Sequence, residues 1–426
     1  MIVFWQGGVV KKSWSSLPAS VAGVNVRIVM VAPAFPQTSE TFLFQKAAGL
    51  MERGHSVTVV CQRSDAAQWE RYRGHPAQEA LRGAVRVAAP ARPRWLAAMH
   101  APKAALRAME RPQVAARYFR AGLRGWRDLY LDAEILAAKP DIVHFEFGAT
   151  AAGRMHIGER LGCKVVVSFR GYDLNFAGLD DPHFYDEVWA KADGIHCLGQ
   201  DLWRRAQRRG CPADKLHALI PPAIDAEFFQ RKKERIPETA GTRERPLRLL
   251  SVGRLEWKKG YEFALEAVKR VKDAGMALEY RIVGDGSYYE AVAFARHQLG
   301  LEQEVELCGA MDREGVREQL EWADIFVHAA VSEGFCNAVL EAQAMETPVV
   351  CSDAGGLPEN VMDGVTGFVT LRRRPREMAE RILTLAGDAG LRLAMGRAGR
   401  ERVAREFRLE DQIRRFEEFY GRVAGR

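Results

Sequence analysis

Apolar positions along this chain fall into short unbroken runs, separated by longer stretches where they recur every three to four residues. The short runs fit strands covered on both faces, and the 3.6-residue period between them fits amphipathic helices. The pattern predicts strands at 26–33, 55–61, 142–147, 164–169, 194–198 and 217–220, with a helix over 40–53. Residues 230–246, QRKKERIPETAGTRERP, are charged, poor in apolar positions and carry two prolines, so they read as a linker. A second strand–helix series runs from 247 to about 371, and three helices close the chain, the last over 410–423. This βα rhythm predicts parallel, helix-covered sheets. The divisions that follow are an N-terminal extension (1–25), a first α/β domain (26–229), the linker, a second α/β domain (247–409) and a final helical segment (410–426).

Composition narrows the class. At 426 residues the chain is too long for one ordinary domain and suits two. Hydrophobic residues make up 47%, enough for large cores, yet no run of about 18 apolar residues predicts a membrane span. Seven cysteines, an odd number without metal-ligand spacing, lie mostly in apolar contexts and predict a reduced, cytoplasmic protein. In 1–25 the lysines Lys11 and Lys12 follow the apolar stretch, the reverse of a secretory signal.

The net charge is +7, and much of the excess lies between Leu81 and Tyr130, with about eleven Lys and Arg against two acidic residues. Trp95, Leu96, Met99, Leu106, Tyr118, Phe119, Leu123 and Trp126 are interleaved with these charges. That pattern fits either a peripheral contact with anionic membrane or a solvated Arg-rich face. No nucleic-acid motif accompanies it.

Candidate chemistry concentrates in SEGFCNAVLEAQAMETPVV, residues 332–350, where Glu333 and Glu341 bracket a loop and a helix start. Asn337 can cap that helix. Eight helical residues span roughly 12 Å, comparable to a nucleotide sugar from sugar ring to ribose. The helix N-terminus offers amides to phosphate, and the two carboxylates can each take hydroxyls. Upstream, the strand before Gly253 and Arg254 leads to Lys259 and Gly260, placing two cations at a strand's C-terminal edge. Such cations can hold a diphosphate and stabilise it as it leaves. A further strand ends in Gly284-Asp285-Gly286, which lets the backbone approach a ligand. No Asp-x-Asp or His/carboxylate cluster is visible, so neither metal nor cofactor is expected.

Together Gly253-Arg254-Leu255…Lys259-Gly260, Val283-Gly284-Asp285-Gly286, Glu333-Gly334-Phe335…Glu341-Ala342 and Pro348-Val349-Val350 resemble the donor-binding half of the family 4 retaining glycosyltransferases. The resemblance runs from Val26 onward and implies the GT-B fold, two Rossmann-like domains whose parallel sheets face a central cleft. It implies that the last helix packs back on the first domain. Carried over by position, Arg254 and Lys259 contact the diphosphate, Glu333 the donor sugar and Glu341 the ribose. Gly253, Gly284, Gly286, Gly334 and the backbone of Phe335, Cys336 and Asn337 surround the phosphates. Cys336 stands where many members have Gly or Pro, and Glu346 where a small turn residue precedes the strand.

In the first half, FPQTSETF is similar to a subgroup that builds bacterial exopolysaccharides of the colanic-acid and amylovoran type. Thr38, Ser39 and Glu40 then face the cleft from the acceptor side, although Thr38 or Ser39 can equally be a helix cap. Arg170 and Asp173, in SFRGYDLN, fall at the cleft rim. Many relatives carry His where this chain has Arg170, and arginine cannot accept a proton at neutral pH. His144 ends a strand nearby, either as a structural hydrogen-bonding group or as an acceptor-site residue. The resemblance implies metal-independent, retaining transfer of a hexose from a UDP- or GDP-linked sugar to a glycan or lipid-linked oligosaccharide acceptor. A non-catalytic nucleotide-sugar-binding partner and a GT-B sugar-nucleotide epimerase stay open as alternatives.

Overall fold

The computed structural model describes residues 25–37, 40–70, 72–88, 102, 104–107 and 109–425. Two parallel sheets carry the architecture. The first holds β1 (Arg27–Ala34), β2 (Ser56–Arg63), β3 (Val85–Val87), β4 (Ile142–Phe145), β5 (Lys164–Phe169), β6 (Gly194–Cys197) and β7 (His217–Leu219), in the order β3-β2-β1-β4-β5-β6-β7. The second holds β8 (Leu247–Val252), β9 (Leu278–Val283), β10 (Val305–Gly309), β11 (Ile325–His328), β12 (Val349–Ser352) and β13 (Gly367–Thr370), in the order β10-β9-β8-β11-β12-β13. Their central strands are buried on both faces, which is why Ile28 to Ala32 and Val165 to Val167 read as unbroken apolar runs. β3 was not foreseen, because three residues at a sheet edge carry too short a pattern to register.

Strand order reverses between β1 and β4 in the first sheet and between β8 and β11 in the second. At such a switch point the loops leaving neighbouring strands diverge to opposite faces and open a crevice at the carboxyl ends. The segments following β1, β4, β5, β8 and β11 are therefore the ones delivered to the space between the sheets.

Four helices matter for the site: α1 (Thr41–Glu52), α2 (Tyr261–Asp273), α3 (Asn337–Ala344) and α4 (Leu409–Ala424). From the chain's end, α4 lies against the first sheet and buries Ile413, Phe416, Phe419, Tyr420 and Val423 in the core formed by β1, β2 and α1. Each such side chain contributes roughly 1.5–3 kcal/mol. Small residues make room for it: a Cβ on Gly49 would meet Ile413 at 2.7 Å, and one on Gly194 would meet Phe419 at 2.8 Å.

Residues 230–246 form neither helix nor strand, but they do not hang free. Arg231 donates to the carbonyls of Glu321 and Met345, Arg235 to those of Ala323 and Asp324, and Arg245 grips the Asp324 carboxylate at 2.7 Å. Arg231 and Arg235 thus satisfy carbonyls at the ends of helices and loops of the second domain. Glu346 takes φ of 54°, the left-handed conformation its position before β12 demands. No helix among the described residues is long and apolar enough to cross a membrane. All seven cysteines are free.

Candidate functional site

The cleft between the sheets has a volume of about 610 Å³ and is lined from both sides, within the size range of ligand pockets. On the second domain, β8 delivers Gly253 and Arg254, and a short 3-10 turn over Trp257–Lys259 delivers Lys259. Gly260 closes that turn with φ of 63°, and a Cβ there would lie 2.3 Å from the Ala329 carbonyl oxygen. Only glycine fits, and its fit aims Lys259 at the loop after β11.

There, Lys259 Nζ lies 2.5 Å from Glu333 Oε2. His328, the last residue of β11, sits underneath with Nε2 at 3.4 Å from the same oxygen. Burial alone would raise the Glu333 pKa, but Lys259 and His328 outweigh it and hold the carboxyl well below the usual range. Burial would likewise lower the Lys259 pKa, yet Glu333 keeps it above the ordinary lysine value. Despite its own burial, His328 is raised to about 9 by the Cys336 sulfur and by Glu333. The ionised forms of all three groups are mutually stabilised at neutral pH.

Cys336 occupies the cap position of α3, and Asn337 is the first helical residue, so the expected Asn337 cap is corrected. Asn360 does the holding instead: its Oδ1 accepts from the Cys336 amide and its Nδ2 donates to the Cys336 carbonyl, both at 3.1 Å. Gly334, Phe335, Cys336 and Asn337 all line the cleft, beside Glu333. Glu341 also lines it, with its pKa raised to about 7 by burial and only partly lowered by Arg313. Gly284 lines the cleft and allows contact with the Gly253 carbonyl. Gly286 does not: it packs on the Leu255 backbone behind the cleft, where a Cβ would be 2.4 Å from an oxygen, so its expected ligand contact gives way to turn packing. Arg254 is largely exposed and pairs with Glu256 at 2.9 Å.

The first domain contributes Glu40, Phe42, Phe147, Arg170 and Tyr172 to the opposite wall. The Arg170 guanidinium lies 3.8 Å from the Phe42 ring centroid and 3.4 Å from Glu146 Oε2. Glu146 is fully buried and also pairs with buried Lys46 at 2.6 Å, so a continuous ionic chain backs the wall. Burial pushes Glu40 up, against the pull of Arg170 and of Arg254 on the other domain.

Two expected acceptor-side residues are not in the cleft. His144 is wholly buried, with Nδ1 2.6 Å from the Tyr420 hydroxyl and Nε2 2.7 Å from Ser168, and it ties α4 to the first sheet. Asp173 is buried too, and accepts from the amides of Ala149 and Arg170 at 2.9 Å as part of a helix cap. A strand-end or helix-start polar residue points inward as readily as outward, and sequence spacing does not tell which. Thr38 and Ser39 lie outside the described residues, as do Trp95, Leu96, Met99 and 1–24.

Glu146, Lys46 and His328 were missed. For Glu146 and His328 the one available signal was a charged or imidazole side chain interrupting an apolar strand, in VHFEF and IFVHA; Lys46 lies on α1. His328, Glu333 and Cys336 also form the one group among the described residues whose donor atoms, all within 4.8 Å, could hold a metal. The expectation of no such cluster is corrected, since the fold gathers donors that the sequence spaces five and three apart. Lys259 already supplies positive charge to the same carboxylate oxygen.

The domains touch across the cleft. Asn175 donates to Ser332 at 2.9 Å, and Glu359 accepts from the amides of Gln200 and Asp201 at 2.7 and 2.8 Å. Gly171 and Gly334 meet backbone to backbone, with room for no side chain.

Residues 38–222 match the family described as a glycosyl transferase 4-like domain, and residues 232–402 match glycosyl transferases group 1. The putative colanic acid biosynthesis glycosyltransferase WcaL of Escherichia coli (strain K12) is 28% identical over 406 residues, covering 88% of this chain and 94% of that protein. The amylovoran biosynthesis glycosyltransferase AmsK of Erwinia amylovora is 30% identical over 298 residues, covering 68% and 71%. Among solved structures, Anabaena Alr3699/HepE in complex with UDP-glucose superposes with a TM-score of 0.70 at 16% identity, covering 93% of this chain and 99% of that one. A glycosyltransferase from Rickettsia africae ESF-5 gives 0.68 at 17% identity, covering 93% and 98%. Fold, cleft and sequence agree, and the chain belongs to the family 4 (group 1) glycosyltransferases with the GT-B fold.

Proposed function

We propose that this glycosyltransferase moves a hexose from a nucleoside-diphosphate sugar to a sugar hydroxyl of a growing, lipid-linked exopolysaccharide, with retention at the anomeric carbon. The observation that carries the reading is the Lys259–Glu333 pair beside Arg254 and the N-terminus of α3, in a cleft shared by both domains. Lys259, Arg254 and the α3 amides meet the diphosphate and stabilise the charge that develops as it departs. Glu333 orients the donor sugar and Glu341 the ribose. Apart from Glu333 and Glu341, whose places are taken up in binding, no carboxylate pair among the described residues stands out as nucleophile and acid. A front-face route therefore fits, with the departing phosphate taking the acceptor proton. The bridging contacts of Glu359 and Asn175 support a closed state that excludes water.

Exopolysaccharide assembly is favoured by the colanic-acid and amylovoran roles in the names of WcaL and AmsK. Cytoplasmic placement with peripheral membrane contact is favoured by exposed Leu106, Met109, Phe119 and Trp126 among exposed Arg120, Arg124 and Arg127. A thermal-shift screen with UDP and GDP sugars, followed by acceptor-dependent nucleotide release, tests the assignment. Binding without turnover on any lipid-linked acceptor favours the non-catalytic partner instead.

A further inference from the structure

A second cavity, of about 290 Å³, lies at the amino ends of β8 and β11, the edge of the second sheet opposite the cleft. It shares no lining residue with the cleft. Its walls are the 230–246 segment, the end of helix Arg313–Trp322 and the start of helix Ala389–Glu406. Six cations line it, Arg231, Lys233, Arg235, Arg245, Arg248 and Arg392, against four acids, Glu234, Glu238, Glu321 and Asp324.

Those acids are already engaged. Asp324 takes Arg245 on both oxygens, at 2.7 and 2.8 Å, and Glu238 meets the same guanidinium at 3.3 Å. Glu234 pairs with Arg397, outside the cavity lining, at 3.3 Å, and Glu321 accepts from the amides of Lys232 and Lys233 at 3.0 and 3.1 Å. Arg231, Arg235 and Arg392 meet backbone carbonyls, which satisfy their N–H groups without cancelling their charge. Burial and the charges of Arg231 and Arg392 bring the Arg235 pKa down to about 10. Two cations are left over. Among the described residues the Lys233 ammonium has no acidic partner, and the Arg248 guanidinium has neither hydrogen bond nor ion pair. Arg248 lies 5.6 Å from the Trp322 ring centroid, with its Nε buried and unpartnered.

We propose that this cavity is a binding site for a phosphate dianion, free or esterified to a small molecule, held by Lys233 and Arg248 among the carbonyl-bound arginines. Phosphate brings close to two negative charges at neutral pH and three strong acceptor oxygens. The planar guanidinium suits two of those oxygens and the ammonium the third. A carboxylate brings a single charge and leaves one of the two cations unmatched. Because Arg231, Lys233, Arg235 and Arg245 belong to the segment that joins the domains, the bound anion fastens that segment to the second sheet. The site requires no donor in the cleft.

The test uses the full-length protein and isothermal titration calorimetry with inorganic phosphate and with glucose 6-phosphate. Ionic strength is held constant with sodium chloride, so that general screening cancels. Saturable binding is expected, and the tighter of the two ligands tells a free anion from an esterified one. Lys233→Ala and Arg248→Ala should each weaken binding by about tenfold or more, the loss of one charge-assisted contact. If Arg248→Ala misfolds, Lys233→Ala, which alters an exposed side chain, decides alone. UDP should leave the affinity unchanged, since it has no place in this cavity. Heat no greater than sodium chloride alone gives, full affinity in Lys233→Ala, or competition by UDP overturns the proposal. Intact phosphate binding in a protein that does not bind UDP leaves this site standing and removes the donor reading instead.

Discussion

Replacing Lys259 with alanine separates pairing from catalysis. The ammonium lies 2.5 Å from Glu333, and both side chains are nearly enclosed, at 13% and 12% exposure. At an effective dielectric of 20 and about 4 Å between charge centres, the attraction is roughly 4 kcal/mol. Removing one partner of a buried pair typically costs about 3–5 kcal/mol, because the other charge is left behind. His328 still faces Glu333, so Lys259→Ala should cost about 3 kcal/mol in urea unfolding. The double variant Lys259→Ala/Glu333→Gln removes the stranded charge and should regain about 2 kcal/mol of that loss. Turnover should not follow stability. Loss of one cation from a leaving diphosphate lowers kcat by about 10²–10³-fold in the single variant, and by at least as much in the double, which also loses the Glu333 carboxylate. Because the Glu333 pKa is depressed, the pair's stabilisation is complete at neutral pH and is lost only on acidification through that depressed value. The single-variant deficit should therefore stay constant from pH 6 to 8. Wild-type nucleotide release by Lys259→Ala, or activity restored in the double variant, refutes the phosphate role.

Glu341 gives the opposite pH sign. Its pKa is raised to about 7, so the folded state holds the extra proton and stability falls as pH rises through 7. Glu341→Gln should gain on the order of 1 kcal/mol at pH 8 over wild type in ligand-free unfolding, while binding UDP more weakly. Gly171→Ala places a Cβ 3.0 Å from the Gly334 amide nitrogen, so kcat should drop at least about tenfold through impaired closure. Its unfolding free energy should shift by less than about 1 kcal/mol, and a large stability loss with normal kcat would contradict the closure role. Glu346→Gly relieves the left-handed strain at φ 54° and should stabilise the protein by about 0.5–1 kcal/mol in chemical denaturation. No gain there would mean the turn carries no strain.

Local patterning was enough to specify much of this protein. Short apolar-rich runs at 142–145 and 164–169 read as covered strands, and the Gly253–Gly260 and Glu333–Ala342 motifs marked the second domain's side of the cleft. Those signals are local: strand burial and the turn that Gly260 makes depend on neighbours in sequence. Which polar residue faces the cleft depends on what packs behind it, and that is long-range. His144 and Arg170 both follow apolar strand residues, but α4 from the far end of the chain brings Tyr420 over His144 and seals it, while Arg170 lies against Phe42 at the wall. The Lys46–Glu146 and Lys259–Glu333 pairs likewise join residues 100 and 74 positions apart. Sequence determined the sheets and the position of Arg254 and Lys259 at the cleft. Only the folded chain decided which titratable groups share a low-dielectric pocket, because their charge states are set by partners tens to hundreds of residues away.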